Sequence, residues 1–197
     1  RGRRAAVIGC GGDYDAAAQV SAVLQSQNVT ALDLLFLPRA AQTEASAAGQ
    51  LLESIPAQTV VCAEAVDGLP NGTHAVVAGV GRVRLWGDVT LEYITQGALS
   101  CALLEIGTQR FFLSFCPGGE LSRLPEGWSS APVAFCRAQE PEGLHAGVTL
   151  FSGEGDRVWN TARAHAQNGR KAFATGGKGA LRIRADGAKT LDIKRLP

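Results

Sequence analysis

From residue 5 to residue 62, short apolar runs alternate with segments of helical periodicity, and this alternation narrows the possible folds more than any other feature of the chain. Ala5-Ala6-Val7-Ile8 ends in Gly9-Cys10-Gly11-Gly12, a strand feeding a tight turn. Asp13 stands where it can cap a helix whose apolar residues Ala17, Val20, Val23 and Leu24 recur at helical spacing, and Asn28 ends that helix. Leu32-Asp33-Leu34-Leu35-Phe36-Leu37 reads as a buried strand running into a second helix, which passes through Ala47, Leu51 and Leu52. Thr59-Val60-Val61-Cys62 supplies a third strand. Strand and helix in alternation mean parallel strands joined by crossover helices.

After Asp67 the pattern changes to strands with little helix between them, at about 75–79, 82–87 and 89–94. A hairpin of 101–106 and 110–115 turns at Gly107-Thr108-Gln109. Further strands are predicted at 133–136 and 147–151. A helix from about Asp156 to Asn168 is then stopped by Gly169, where a left-handed residue is wanted. The chain closes on 171–175, 180–185 and 190–193, the last two joined through Asp186-Gly187, a hairpin signal. There is no internal repeat, and the elements predict a single α/β sandwich over residues 1–197.

A hydrophobic content of 46% in 197 residues is enough for one substantial core. The longest apolar runs, such as 31–37, fall far short of the roughly 20 residues that cross a bilayer, and no signal peptide opens the chain. With arginine at position 1 and no methionine, the sequence is expected to be a portion of a longer protein, with any membrane part outside it. Cysteines at 10, 62, 101, 116 and 136 are odd in number and contain no Cys-x-x-Cys pair, which argues against a disulfide framework and a zinc ribbon. Net charge is only +1, yet from Arg157 onward ten Lys or Arg face two Asp, so the chain ends are basic and the remainder acidic.

Several segments resemble one family. Arg4-Ala-Ala-Val-Ile-Gly-Cys-Gly-Gly12 resembles a strand ending in Asp-Thr-Gly-Gly. The approach Val29-Thr30-Ala31-Leu32-Asp33 resembles Gly-Ile-x-x-Leu-Asp, and Leu103 through Cys116 resembles a hairpin that ends Leu-Leu-Thr-Gly-Asp. The most specific piece is the tail, Gly169 to Thr175 and Gly179-Ala-Leu-Arg-Ile-Arg-Ala-Asp-Gly187. Together they resemble the metallo-β-lactamase fold, and more narrowly the soluble domain at the end of ComEC-type DNA-uptake channel proteins. The resemblance implies a metallo-β-lactamase-like αβ/βα sandwich. The family's opening strands, with their Asp-Val-Gly-Gln-Gly-Asp motif, are missing.

The departures from that family are systematic. Its Thr-His-x-His-x-Asp-His motif would follow the strand at 32–37, and its three ligand histidines fall on Arg39, Ala41 and Glu44 and its aspartate on Thr43. The aspartate of the first motif falls on Gly9 and the metal-bridging aspartate on Cys116. Cys136-Arg137-Ala138-Gln139-Glu140 stands where His-His-Gly-Ser is expected, and His74, His145 and His165 match no ligand position. Two-metal hydrolysis needs carboxylates and imidazoles holding two cations roughly 3.5–4 Å apart. Alanine, threonine and arginine do not replace them, and Arg39 either places fixed positive charge there or points to solvent and pairs with Glu44.

Two constellations remain. Cys10, Cys116 and Cys136 sit at strand ends expected to converge on the vacated cleft, either as a thiolate trio for zinc or as small buried hydrophobes. A cysteine nucleophile would need a base, and His165 is expected on a helix as a surface or packing residue. Arg163, Arg170, Lys171, Lys178, Arg182 and Arg184 form either one phosphate-tracking stripe or a solvated face. The Gly176-Gly177-Lys178-Gly179 and Cys116-Pro117-Gly118-Gly119 turns read first as connections and second as anion nests. Trp86, Trp128 and Trp159 read as core or cleft aromatics.

The resemblance and the lost ligands together imply a non-catalytic domain of a membrane DNA-uptake protein, without metal or other cofactor. It would bind or guide DNA or brace the channel, on the outer face of the cell membrane. The alternatives are a metal- or cysteine-dependent hydrolase or nuclease using the cysteines and Glu44, and a protein-docking module. If the missing opening strands belong to the fold, the first strand borders an open sheet edge where chains can self-associate.

Overall fold

A computed structural model describes residues 4–10, 14–39, 42–97, 99–115, 121–153, 155–175, 180–188 and 191–196. The protein is a mixed α/β fold, and the chain divides into two compact units, Arg1–Gly81 and Arg82–Pro197.

The first unit is built from β1 (Ala6–Ile8), α1 (Tyr14–Ser26), β2 (Leu32–Leu37), α2 (Gln42–Ser54), β3 (Ala57–Cys62) and β4 (Ala75–Val77). Its four strands are parallel and lie in sequence order, β1-β2-β3-β4. Right-handed crossovers between successive neighbours put α1 and α2 on the same face of the sheet. There Ala17, Ala47, Ala48 and Leu51 join Leu35, Leu37, Val60 and Cys62 in one core. β2 is central, which explains its nearly continuous apolar sequence: a strand covered on both faces has no polar face to display. Its one polar residue, Asp33, clasps the neighbouring strand. The Ala5 N–H donates to Asp33 Oδ2 at 3.0 Å, and the Asp33 N–H donates back to the Ala5 carbonyl at 2.8 Å. Asn28, with φ of 56°, terminates α1 in the left-handed conformation its sequence position predicts. The expected cap, Asp13, lies outside the described residues.

The strand near 75–79, grouped by sequence with the strand-rich second half, instead closes this parallel sheet as β4. No helix crosses over to it. The irregular segment 63–74 makes the connection, and about a dozen residues suffice for a parallel return. β1 and β4 are the sheet's edges, and β4 leaves Val76 and Val77 exposed.

The second sheet contains β5 (Val80–Trp86), β6 (Val89–Gln96), β7 (Leu99–Ile106), β8 (Gln109–Ser114), β9 (Val133–Arg137), β10 (Val148–Ser152) and β11 (Lys171–Ala174), in the order β11-β10-β9-β8-β7-β6-β5. β6, β7 and β8 are antiparallel neighbours, and from β8 to β11 the pairing is parallel. The helix α3 (Asp156–Gln167) supplies the β10–β11 crossover, and Gly169 ends it at φ of 75° as its position predicts. Strand alternation divides the side chains between two faces. On one, Leu103, Phe112, Ala134, Cys136 and Phe151 pack beneath Val158 and Ala162 of α3 and beside the buried Trp128. On the other, Phe111, Val133 and Leu150 meet Ile183, Ala185, Leu191 and Ile193 of a two-stranded antiparallel ribbon, β12 (Ala180–Ala185) and β13 (Leu191–Leu196).

The ribbon is anchored at its turn. The Thr108 N–H donates to the Gly187 carbonyl at 2.8 Å, and the Gly187 N–H donates to Gln109 Oε1 at 2.8 Å. This approach requires glycine at 107, which has φ of 58° and where a Cβ would fall on the Gly187 carbonyl oxygen. Gly107→Ala is therefore expected to cost about 2–4 kcal/mol, from left-handed strain and from displacement of the ribbon turn. Hydrogen exchange should show residues 180–196 losing protection before the rest of the unit. Equal loss throughout would mean that the ribbon is not a separable layer.

Candidate functional site

Of the positions where the resemblance implies metal ligands, Gly9 and Arg39 lie just past the carboxyl ends of β1 and β2 and Glu44 in the helix that follows, at the end of a parallel sheet where α/β proteins place their ligands. Gly9 leaves β1 at φ of 67°, its N–H donating to the Phe36 carbonyl at 2.8 Å. Cys10 follows, 1% exposed, with its thiol 3.7 Å from the Glu44 carbonyl oxygen that accepts from it. Glu44 stands in the first turn of α2 and is itself buried at 8% exposure, where the helix dipole favours a negative charge. Arg39 is half-buried. Ala41 and the side chain of Thr43 lie outside the described residues. Burial first, and the Glu44 carboxylate second, push the Cys10 thiol up to about 11, so it is protonated at neutral pH. Among the described residues no group of three His, Cys, Asp or Glu side chains is arranged to hold a metal ion.

The four described cysteines are core residues. Cys10 and Cys62 belong to the core of the first unit, and Cys101 and Cys136 to that of the second, all as free thiols. Cys116 lies outside the described residues. Cys136 is 1% exposed and is pushed up to about 12 by burial and then by the Glu140 carboxylate, and burial alone raises Cys62. A protonated thiol in an apolar core is a poor ligand and a poor nucleophile.

The described basic residues do not share one surface. Arg163 on α3 is exposed on the face of the sheet that α3 covers, and Lys171 is exposed at the start of the edge strand β11. Arg184 is exposed on the ribbon, which covers the opposite face, and its flanking residues Ile183 and Ala185 turn inward. Lys178 and the side chain of Arg182 lie outside the described residues. Across the ribbon Arg182 is in register with Lys194 and Arg184 with Asp192, and Lys194 pairs with Asp192 at 3.8 Å. Lys194 lies outside the six basic residues the sequence singles out, as do Arg82 and Arg110, which approach Glu105, and Arg84, which donates to the Gly87 carbonyl. The period-two spacing of Arg82 and Arg84 on β5 was the available signal.

Arg170 has a different occupation. Its two terminal nitrogens donate to the two oxygens of Glu140 at 2.9 and 3.0 Å, and one donates also to the Leu144 carbonyl at 3.3 Å. His165 Nδ1 lies 3.1 Å from Glu140 Oε2, and its ring meets Phe151 edge to face at 5.1 Å. The Glu140 side chain is only 9% exposed. The chain reaches this point through Ala138, which has φ of 60°, uncommon for a residue with a Cβ, and which turns the segment after β9 back toward α3. The result is a buried carboxylate neutralised by a bidentate guanidinium, with an imidazole oriented beside it, all within the second unit. Compared with known proteins, the chain matches no family model, and no curated protein matches it.

Proposed function

We propose that the chain is a non-catalytic metallo-β-lactamase-like domain, a single αβ/βα sandwich, of a ComEC-type membrane DNA-uptake protein, and that it binds or guides DNA or braces the channel without a metal cofactor. The observation carrying this reading is the chemistry at the ends of β1 and β2. Gly9, a half-buried Arg39 and a buried Glu44 occupy positions that in the resembling family hold cations, and the neighbouring Cys10 is a protonated thiol. A guanidinium and a neutral thiol do not supply the donor set that deprotonates a bridging water. The domain belongs at the outer face of the cell membrane on this reading. The ribbon gives the DNA contact the exposed cations Arg184 and Lys194, and the open edge of β1 gives a route to self-association.

Two measurements test it together. Elemental analysis after exposure to zinc and manganese is expected to find metal near zero per chain, and one or two tightly held metals would overturn the reading. Affinity for duplex DNA should fall steeply with salt. Reversing Arg184 and Lys194 to glutamate should flatten the slope of log K against log salt by about 2, close to one unit for each phosphate that is no longer neutralised. Retention indifferent to salt and to both substitutions would leave bracing as the role.

A further inference from the structure

The chain contains two Asn-Gly dipeptides, Asn71-Gly72 and Asn168-Gly169. Such a pair can react with itself. The glycine nitrogen loses its proton to solvent base and attacks the side-chain amide carbon, so that a five-membered imide closes and the amide nitrogen leaves as ammonia. Water then opens the imide at either carbonyl and gives aspartate or isoaspartate. The sum is asparagine and water to a carboxylate and ammonia, with nothing oxidised or reduced. Glycine favours the step because no Cβ shields its nitrogen and its backbone turns freely.

The fold treats the two dipeptides differently. Ring closure needs the bond between the asparagine Cα and its carbonyl carbon to swing until the next nitrogen reaches the side chain, and the cost is whatever that swing breaks. Asn168 caps the end of α3. Just beyond it the Gly169 N–H donates to the Ala166 carbonyl at 3.0 Å and the Arg170 N–H to the His165 carbonyl at 3.0 Å, while the Arg170 guanidinium is paired with Glu140. A swing at 168 would take the cap apart and pull Arg170 from its carboxylate. Asn71 is exposed, at the second position of a turn that one bond closes, from the Thr73 N–H to the Pro70 carbonyl at 3.0 Å, with Gly72 at φ of 85°. Among the described residues, neither the Asn71 side chain nor the Gly72 N–H has a hydrogen-bond partner, and the turn bond is the only backbone hydrogen bond within the 64–73 segment. A swing at 71 gives up that bond alone, so the turn opens locally while the rest of the unit stays folded.

We propose that Asn71 is a site of spontaneous succinimide formation in the folded protein, and that isoaspartate at this position loosens β4. Isoaspartate runs the main chain through the side-chain carbon, so the connection from β3 gains one backbone carbon and a carboxylate. No Asp, Glu, Lys or Arg occurs from Gly68 to Gly81, so the new charge has no cation within that stretch to meet it. β4 has little to hold it in place. It is three residues long, exposed throughout, and paired with β3 along one side as an edge of its sheet. The modification belongs to this turn and is independent of DNA binding.

The test is peptide mapping of the whole chain after prolonged incubation at pH 8, beside the same incubation in guanidinium chloride. The folded protein is expected to convert Asn71 about tenfold faster than Asn168 or more, because each further hydrogen bond that must open slows ring closure. The denatured chain should convert both at similar rates. Asn71→Gln, an exposed substitution that keeps the turn and lengthens the side chain past easy closure, should remove the reaction at 71 and leave Asn168 as it was. Hydrogen exchange at 75–77 should quicken in aged wild type and stay unchanged in aged Asn71→Gln protein. Asn71 intact in the folded protein while the denatured chain converts, Asn168 converting as fast as Asn71 in the folded protein, or β4 equally protected in the two aged proteins would each overturn the proposal.

Discussion

Replacing Glu140 with alanine is expected to destabilise the protein by about 2–3 kcal/mol, read as a lower urea midpoint at pH 7. Removing one member of a fully buried ion pair costs roughly 3–5 kcal/mol, because the other charge is left without compensation. Here the carboxylate end is buried while the Arg170 side chain is 39% exposed, so water recovers part of the loss. Arg170 would retain the Leu144 carbonyl and the 3.4 Å contact to His165 Nδ1, and His165 would lose the carboxylate beside it. Changing Arg170 to methionine as well should recover much of the loss, since deleting both partners removes the desolvated charge along with its pair. The Cys136 thiol offers a second readout. Burial chiefly, and the Glu140 carboxylate second, raise its pKa, so the alanine variant should lower that thiol while burial still holds it above the ordinary range. Stability unchanged by Glu140→Ala, or a double variant no better than the single one, would mean the pair contributes nothing to the fold.

Raising the pH above 9 is expected to unfold the protein progressively through its buried thiols. Cys10 and Cys136 move from the ordinary 9.0 to about 11 and about 12, so in this range the unfolded chain releases protons that the folded chain keeps. Their stabilising contribution is complete below pH 9 and is lost as pH rises toward those folded values. Each thiol costs about 1.4 kcal/mol per pH unit in that interval, and the pair about 3 kcal/mol by pH 10. Burial also raises Tyr93, which adds an alkaline contribution of its own, so the decisive comparison is with the Cys10→Ser, Cys136→Ser double variant. Serine does not ionise there. The variant will be less stable at pH 7, but its loss between pH 9 and 10 should shrink by about the thiol contribution. Wild type and variant losing stability in parallel would place the thiols in a solvated environment instead.

Local chemistry was legible in the sequence because it acts over a few residues. The apolar run of β2, the turn at Gly107-Thr108-Gln109, the stop of α3 at Gly169 and the ribbon turn at Asp186-Gly187 each follow from side-chain periodicity or from a backbone angle that glycine tolerates. The parallel character of the first unit was equally available, since alternating strand and helix leaves few other arrangements.

Tertiary structure decided the rest, and in each case the reason is that strand neighbours and sheet faces are non-local. The strand at 75–77 looked like its successors in sequence, yet its hydrogen bonds run to β3. Six basic residues read in sequence as either one stripe or a solvated face, and α3 and the ribbon, covering opposite faces of a sheet, keep Arg163 and Arg184 apart. Arg170 looked like a free cation until the crossover from β10 through α3 to β11 carried it to Glu140, thirty residues back along the chain. Residues 136–140 looked only like a lost motif, and the fold buries Cys136 in a core and sets Glu140 against Arg170. By itself the sequence determined which segments are strands and helices and where they turn, because those choices are made within a few bonds. Which charges are spent in pairs and which face outward was decided only when distant strands took their register.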